Sequence, residues 1–438
     1  MNAARGALWV LAVAASPGFA ATPVAGPVSI AQLVAQAVHA HPDVQAARAA
    51  VAVAQARLAQ AGLRPAPELE VSVRSDWLFG NEGEYSRSIG IAQSFAIGGR
   101  RAREKDVARA DVAIASTQVA QVQWRLAGEV IATAEQWLLL ERKIALQDAR
   151  ERDEKALARV AQARFKAAEV SQLDIDAVRL DLLAIKQQRE HLQGQRDAAR
   201  IALAALLAQP QDTTPMPADA LPTPGELSPL PQWQQRALAQ RPELLGAAWE
   251  SERADASRAL AVATRWPDWT LRLELAQDRL ALQGAPAQRA SRALGVSLSV
   301  PLPLTARTDA EVAQADAERV QAQAKARGLR LVIAAEVAAA YAQADRARLI
   351  WQDNQRQLRP LAQRSLQLAE QGYRQGLLAL TEVTQARKRL ADIDDTGLDA
   401  LGDYAQALAR LRAASGELPL PNDVAGAAVA LPTEGNLP

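Results

Sequence analysis

The chain of 438 residues contains no cysteine. That excludes disulfides, thiolate catalysis and cysteine zinc sites, and it suits an exported protein without requiring one. Neither sign of charge is in excess. The formal net charge is +1, so no basic field is available to hold nucleic acid. Aromatic residues are scarce, 4% against 49% apolar residues in all, a balance dominated by alanine. Alanine has the highest helix propensity, and its small side chain lets helices approach closely, so long packed helices are expected rather than a conventional globular core. Nothing beyond the N-terminus reaches the ~18 uninterrupted apolar residues of a membrane-spanning helix. No nucleophile elbow, metalloprotease helix or dinucleotide fingerprint occurs. Neither an enzyme nor a cofactor is expected.

What is present begins with a processing signal. Arg5 supplies a positive start, Ala7 to Ala15 a short apolar run, and Gly18-Phe19-Ala20 a small-residue end. This predicts a secretory signal peptide over residues 1–20 with cleavage after Ala20. The mature protein is then expected to be exported without a transmembrane helix. With no cysteine after the cleavage site, it is also expected to lack an N-terminal lipid anchor.

The rest of the chain reads as one pattern written twice. Pro42 recurs as Pro242, Pro67 as Pro267, and Phe165-Lys166-Ala167-Ala168 before Asp174 recurs as Tyr373-Arg374-Gln375-Gly376 before Glu382. The period is roughly 200 residues, far longer than the ~20–50 of solenoid repeats. Each copy is therefore a unit of its own: short helices, a strand pair, a very long helix, a tip and a return helix. The expected division is a first repeat over residues 21–207, a linker over 208–231, a second repeat over 232–416, and a loosely attached tail over 417–438. The linker is dense in proline (Pro210, Pro215, Pro217, Pro222, Pro224, Pro229, Pro231), which helices do not cross.

From Arg100 to Phe165 there is no proline, so a helix of ~65 residues and ~100 Å is predicted at 1.5 Å per residue. Its counterpart from Thr305 to Gln371 carries Pro360, where a kink is expected. Return helices are predicted over Leu173–Leu207 and Thr381–Ser415. Four short segments switch to the two-residue period of strands. Leu69, Val71 and Val73 alternate with Glu70, Ser72 and Arg74; Ile89 and Ile91 continue the pattern after a polar turn at Gly80–Gly83. Trp269, Leu271 and Leu273 alternate with Thr270, Arg272 and Glu274, and Leu294, Val296 and Leu298 with Gly295, Ser297 and Ser299.

Four strands cannot close a barrel, and open edges beside an apolar face are unsafe in water. A small soluble sandwich beneath the helices would satisfy them. So would an outer-membrane barrel, whose strands are apolar outside and polar inside and ~10 residues long. Two chains would give eight strands, a barrel filled by its own side chains. Three would give twelve, the smallest such assembly that encloses water.

The segments HPDVQAARAAVAVAQARLAQAGLRPAPELEVSV, IGIAQSFAIGGRRAREKDVARADV, ARFKAAEVSQLDIDAVRLDL and YRQGLLALTEVTQARKRL, in this order and spacing, resemble the TolC-type outer-membrane efflux proteins. The junction AIGGRR is most similar to the CzcC-like, heavy-metal branch. The resemblance implies a mainly α fold with a small β part: a homotrimer whose helical hairpins form an α-barrel, capped by a twelve-stranded β-barrel in outer-membrane lipid. It further implies a periplasmic adaptor protein and an inner-membrane RND transporter as partners, with this chain as their exit duct. The same duct could serve drug efflux or type I protein secretion. A soluble periplasmic scaffold is the reading from a different class.

By the same resemblance, acidic residues after the second tip line the periplasmic entrance. Glu382 matches the first such position; Gln385 occupies the second, where a carboxylate is usual. Asp174, with Asp176, holds the equivalent first-copy place. The alternative is that these carboxylates simply favour the N-terminus of each return helix. Gly376 and Ala168 are expected at the tip turns. His39 and His41, without a thiolate or third histidine nearby, make no metal site. The IGGRR segment lacks the lysine–hydroxyl pair of a phosphate loop and reads as a tight turn.

Overall fold

The computed structural model describes residues 28–76, 83–210, 214–280, 289–302 and 305–420. The predicted signal peptide, most of the Gly80–Gly83 turn and the tail beyond residue 420 lie outside the described residues. Two short helices, α1 (Ile30–Ala40) and α2 (Pro42–Gln60), lead into the antiparallel strands β1 (Glu68–Ser75) and β2 (Tyr85–Phe95). The long α3 (Arg100–Lys166) and its return helix α4 (Gln172–Leu206) complete the first copy. The second copy repeats the order. It runs through α5 (Leu230–Gln240), α6 (Pro242–Ala263), β3 (Trp269–Arg279), β4 (Ser291–Ser299), α7 (Thr305–Asp353), α8 (Arg359–Arg374) and α9 (Leu380–Ser415).

Helix boundaries follow local chemistry. Pro42 and Pro242 sit in the first turns of α2 and α6, where a missing N–H costs nothing. Ser29 caps α1 in a reciprocal box with Gln32. Gly98 and Gly99 both take left-handed φ, 73° and 76°, immediately before α3. That pair makes IGGRR the tight turn by which a strand becomes a helix. At 67 residues, α3 is about 100 Å long. In the second copy the helix does not break at Pro360. A π-helical segment, Asn354–Leu358, widens the ladder just ahead of it, and buried Asn354 donates from Nδ2 to the Ile393 carbonyl of α9 at 2.8 Å.

Two findings depart from the expected division. Helix α5 starts at Leu230, inside the stretch read as linker, because prolines are accepted in a first helical turn. Of the residues after α9, those described, 416–420, are docked rather than loose: Leu418 and Leu420 pack on the main core, and Glu417 pairs with Arg236.

The core is a set of side-chain seams between helices. The largest joins Leu33, Val34 and Val38 of α1 to Leu126, Val130 and Trp137 of α3 and Leu203 of α4. A separate cluster lies next to the tips: Leu157, Ala161, Ile175, Val178, Tyr373, Leu380 and Val383, drawn from both hairpins.

The four strands form one antiparallel sheet in the order β1-β2-β3-β4. Its register stacks like upon like. Leu69 faces Ile91, Ile91 faces Leu273, and Leu273 faces Val296; Val71, Ile89, Leu275 and Leu294 form the next row. The face these rows build is exposed, Leu69 and Val296 at 68% each. Among the described residues, one edge of β1 and one of β4 have no strand partner.

Candidate functional site

Two places in this fold carry features that packing within one chain leaves unused: the apolar sheet face and the pair of hairpin tips. On the sheet, Leu69, Val71, Val73, Trp269, Leu271, Leu273, Leu294, Val296 and Leu298 all lie on one face and are all exposed. The other face is polar. Arg272 reaches across β2 to Glu70 at 2.8 Å. On this face β2 carries only the small Gly90 and Ala92 between the two partners, and a Cβ on Gly90 would come within 2.9 Å of the Leu273 carbonyl. Ser72 and Ser88, and Ser94 and Thr270, bond hydroxyl to hydroxyl across strand pairs. A sheet with an apolar outside, a hydrogen-bonded polar inside and open edges is a fragment of a closed barrel.

At the first tip, Ala168 is held at φ 56°, a left-handed backbone that costs a side chain roughly 1–2 kcal/mol. Ser171 then caps α4. Its hydroxyl and backbone N–H both donate to Asp174 Oδ2, at 2.7 and 2.9 Å. Asp176 accepts from Gln172 Nε2 at 3.0 Å. At the second tip, Gly376 takes φ 73° without strain, and α9 starts after Ala379 with no side-chain cap. Glu382 stands at the same helical position as Asp174. Both Glu382 and Gln385 are exposed with no side-chain partner among the described residues. Asp174 thus has a local structural task that Glu382 lacks.

Sequence reasoning missed the residues that join the two hairpins. Arg387 of α9 bonds Glu370 of α8 at 2.7 Å, and reaches Glu154 and the Asp153 carbonyl of α3 at 3.5 and 3.2 Å. Burial pushes the Glu154 carboxyl up, opposed by Arg387. The Arg164 guanidinium lies 4.2 Å from the Tyr373 ring centroid, within cation–π range. Arg150 donates to Asp395 and to the Ala391 carbonyl. A signal existed: Arg387 falls one helical turn after Val383, on the apolar stripe of α9. Nearer the sheet, burial raises Glu135 to about 7, with Arg412 pulling it down. His41 serves as the N-cap of α2, its Nδ1 accepting from Asp43 N–H. Among the described residues, no group of three His, Cys, Asp or Glu could hold a metal ion.

The duplication, the open four-stranded sheet and the paired hairpins have a counterpart among known proteins. The family model described as outer membrane efflux protein matches twice, over residues 33–209 and 233–417. The chain belongs to the outer membrane efflux protein family. Its two matches are the two copies read from the sequence.

Solved structures share the fold. A membrane protein from Pseudomonas aeruginosa superposes with a TM-score of 0.73 at 19% identity, covering 88% of this chain and 93% of that one. CusC, whose structures concern folding and transmembrane channel formation, gives 0.71 at 20% identity, covering 89% and 92%. The outer membrane protein VceC from Vibrio cholerae gives 0.70 at 17%, covering 88% and 96%. No curated protein sequence matches. The architecture is that of the TolC-type trimeric channels, mainly α with a small β part, and the family is one of ducts rather than enzymes.

Proposed function

We propose that three copies of this chain close a twelve-stranded barrel in the outer membrane, continued by a helical barrel ~100 Å into the periplasm. In this reading the assembly is the exit duct of a tripartite efflux system, docked at its tips to an adaptor protein and an inner-membrane RND transporter. The single observation that carries it is the sheet: one continuous apolar face, exposed, with two free edges. In lipid every backbone polar group must be satisfied internally, and closure by neighbouring copies does this. Replacing Leu273 by Arg, in the middle row of that face, is expected to cost about 2–4 kcal/mol of barrel stability. Heat-labile trimers in outer-membrane fractions should be lost in this variant, and their undiminished recovery would overturn the orientation.

The proposed cargo is heavy-metal cations. The AIGGRR junction supports that branch, and three copies of Glu382 would form one carboxylate ring, which favours cations entering a pore. Gln385 leaves the next position neutral. Deleting the gene should reduce tolerance to zinc, cadmium, cobalt or copper ahead of tolerance to drugs. The reverse order would assign the duct to drug efflux.

A further inference from the structure

The membrane face is not uniform along its length. At the helix-proximal end it finishes in aromatic residues, Phe95 opposite Trp269. At the distal end it finishes in cations. Arg87 and Arg292 share one row, each opposite Gln277, and Arg279 lies opposite Tyr85 in the next row. Strands ~4.8 Å apart put Arg87 and Arg292 about 10 Å from each other, with Arg279 one row beyond. Arg87 lies 5.0 Å from the Tyr85 ring centroid. Neither Arg279 nor Arg292 has an acidic partner among the described residues.

The carboxylates of these strands all lie on the opposite face: Glu68, Glu70, Glu274 and Asp278 alternate with the apolar residues. Among the described strand residues, the apolar face therefore holds three arginines and no acid. Arg74 and Arg272 lie on the polar face with those acids, Arg272 bonded to Glu70, whereas the three arginines of the apolar face share one end and have no acid beside them. A guanidinium beside an apolar surface is well matched to phosphate, which it can grip with two parallel N–H bonds.

We propose that Arg87, Arg279 and Arg292 form a binding rim for the phosphates of an anionic, phosphorylated outer-leaflet lipid whose acyl chains lie against the rows below. This inference rests on the membrane-spanning reading, which places the helix-distal end of the sheet in the outer leaflet.

The test uses the full-length trimer in mild detergent. It is titrated with bisphosphorylated lipid A, phosphatase-treated lipid A, phosphatidylethanolamine and inorganic phosphate, and bound lipid is read by native mass spectrometry. Bisphosphorylated lipid A should bind best. At about fivefold per arginine, the triple R87Q/R279Q/R292Q variant should bind it on the order of a hundredfold more weakly, and the triple lysine variant should recover part of that loss. Equal binding of lipid A to wild type and the glutamine variant would overturn the proposal. Equal binding of lipid A and its phosphatase-treated form to wild type would overturn it too, a comparison that needs no variant. Displacement of lipid A by inorganic phosphate would indicate a free-anion site instead. If wild type fails to insert into bilayers, the membrane reading itself falls; insertion of both proteins with equal lipid retention overturns only the rim.

Discussion

At the first tip a strained Ala168 is followed by a helix closed with a reciprocal Ser171–Asp174 box; at the second a relaxed Gly376 is followed by a helix with no side-chain cap. The first tip is thus stiffened by its own bonds. The second is secured by Arg387, which bonds Glu370 within its own hairpin and reaches Glu154 of the other, and by Arg164 on Tyr373. Equivalent positions in a duplicated chain have divided the work. One tip is closed by its own cap, and the other leans in addition on its neighbour. If the entrance widens by moving one hairpin against the other, the second is the hypothesised mover.

The largest expected effect comes from cutting the link between them. Arg387→Ala leaves the buried Glu154 uncompensated and should cost about 3 kcal/mol, since removing one partner of a buried pair strands the other. Chemical denaturation would measure it, and Glu154→Gln in the same chain should recover much of the loss. Independent, additive effects of the two substitutions would break the assignment of this contact as the clamp.

The turns should respond with opposite signs. Ala168→Gly relieves a left-handed alanine and is expected to stabilise the first tip by about 1 kcal/mol, while Gly376→Ala should destabilise the second by a similar amount. Thermal melts that moved in the same direction would show that the two turns are not the contrast described.

Capping is a smaller lever. Ser171→Ala should cost about 0.5–1 kcal/mol, and Ala379→Ser should gain about as much by supplying the missing cap with Glu382 as its partner. Hydrogen exchange at the first turns of α4 and α9 would report both changes, and an unprotected α9 in Ala379→Ser would count against the argument.

The smallest effect separates function from structure. Glu382→Gln should lower cation preference in planar bilayers, whereas Asp174→Asn, whose carboxylate is occupied by Ser171, should change stability more than selectivity. Equal selectivity shifts would return the two carboxylates to the same role.

Much of this contrast could have been read in advance. The Ser171–Asp174 spacing is a capping box in plain sight, and its absence at Ala379 is equally visible, yet both carboxylates were read alike because they align. The long helices were legible because Arg100 to Lys166 contains no proline, so its 67-residue span needed no tertiary information. Strand positions were legible from the alternation of residues such as Leu271, Arg272 and Leu273. Arg387 with Glu154 was not, because 233 residues separate them and a charge on an apolar stripe does not announce its partner. The π-helical segment was half legible: Pro360 marked the place, but the buried Asn354 bond to α9 exists only once two helices are side by side.

Legible from local pattern alone were the duplication, the span of the first long helix, the two-faced strands and most of the residues that start and end elements. These depend on spacing along the chain and on backbone chemistry within a few residues. The tertiary structure alone decided the strand register that merges four apolar stripes into one face. It also decided the sorting of arginines to one end of that face. Those outcomes depend on groups brought together from about 200 residues apart, where pairing is chosen by the geometry of chain reversal and not by local pattern.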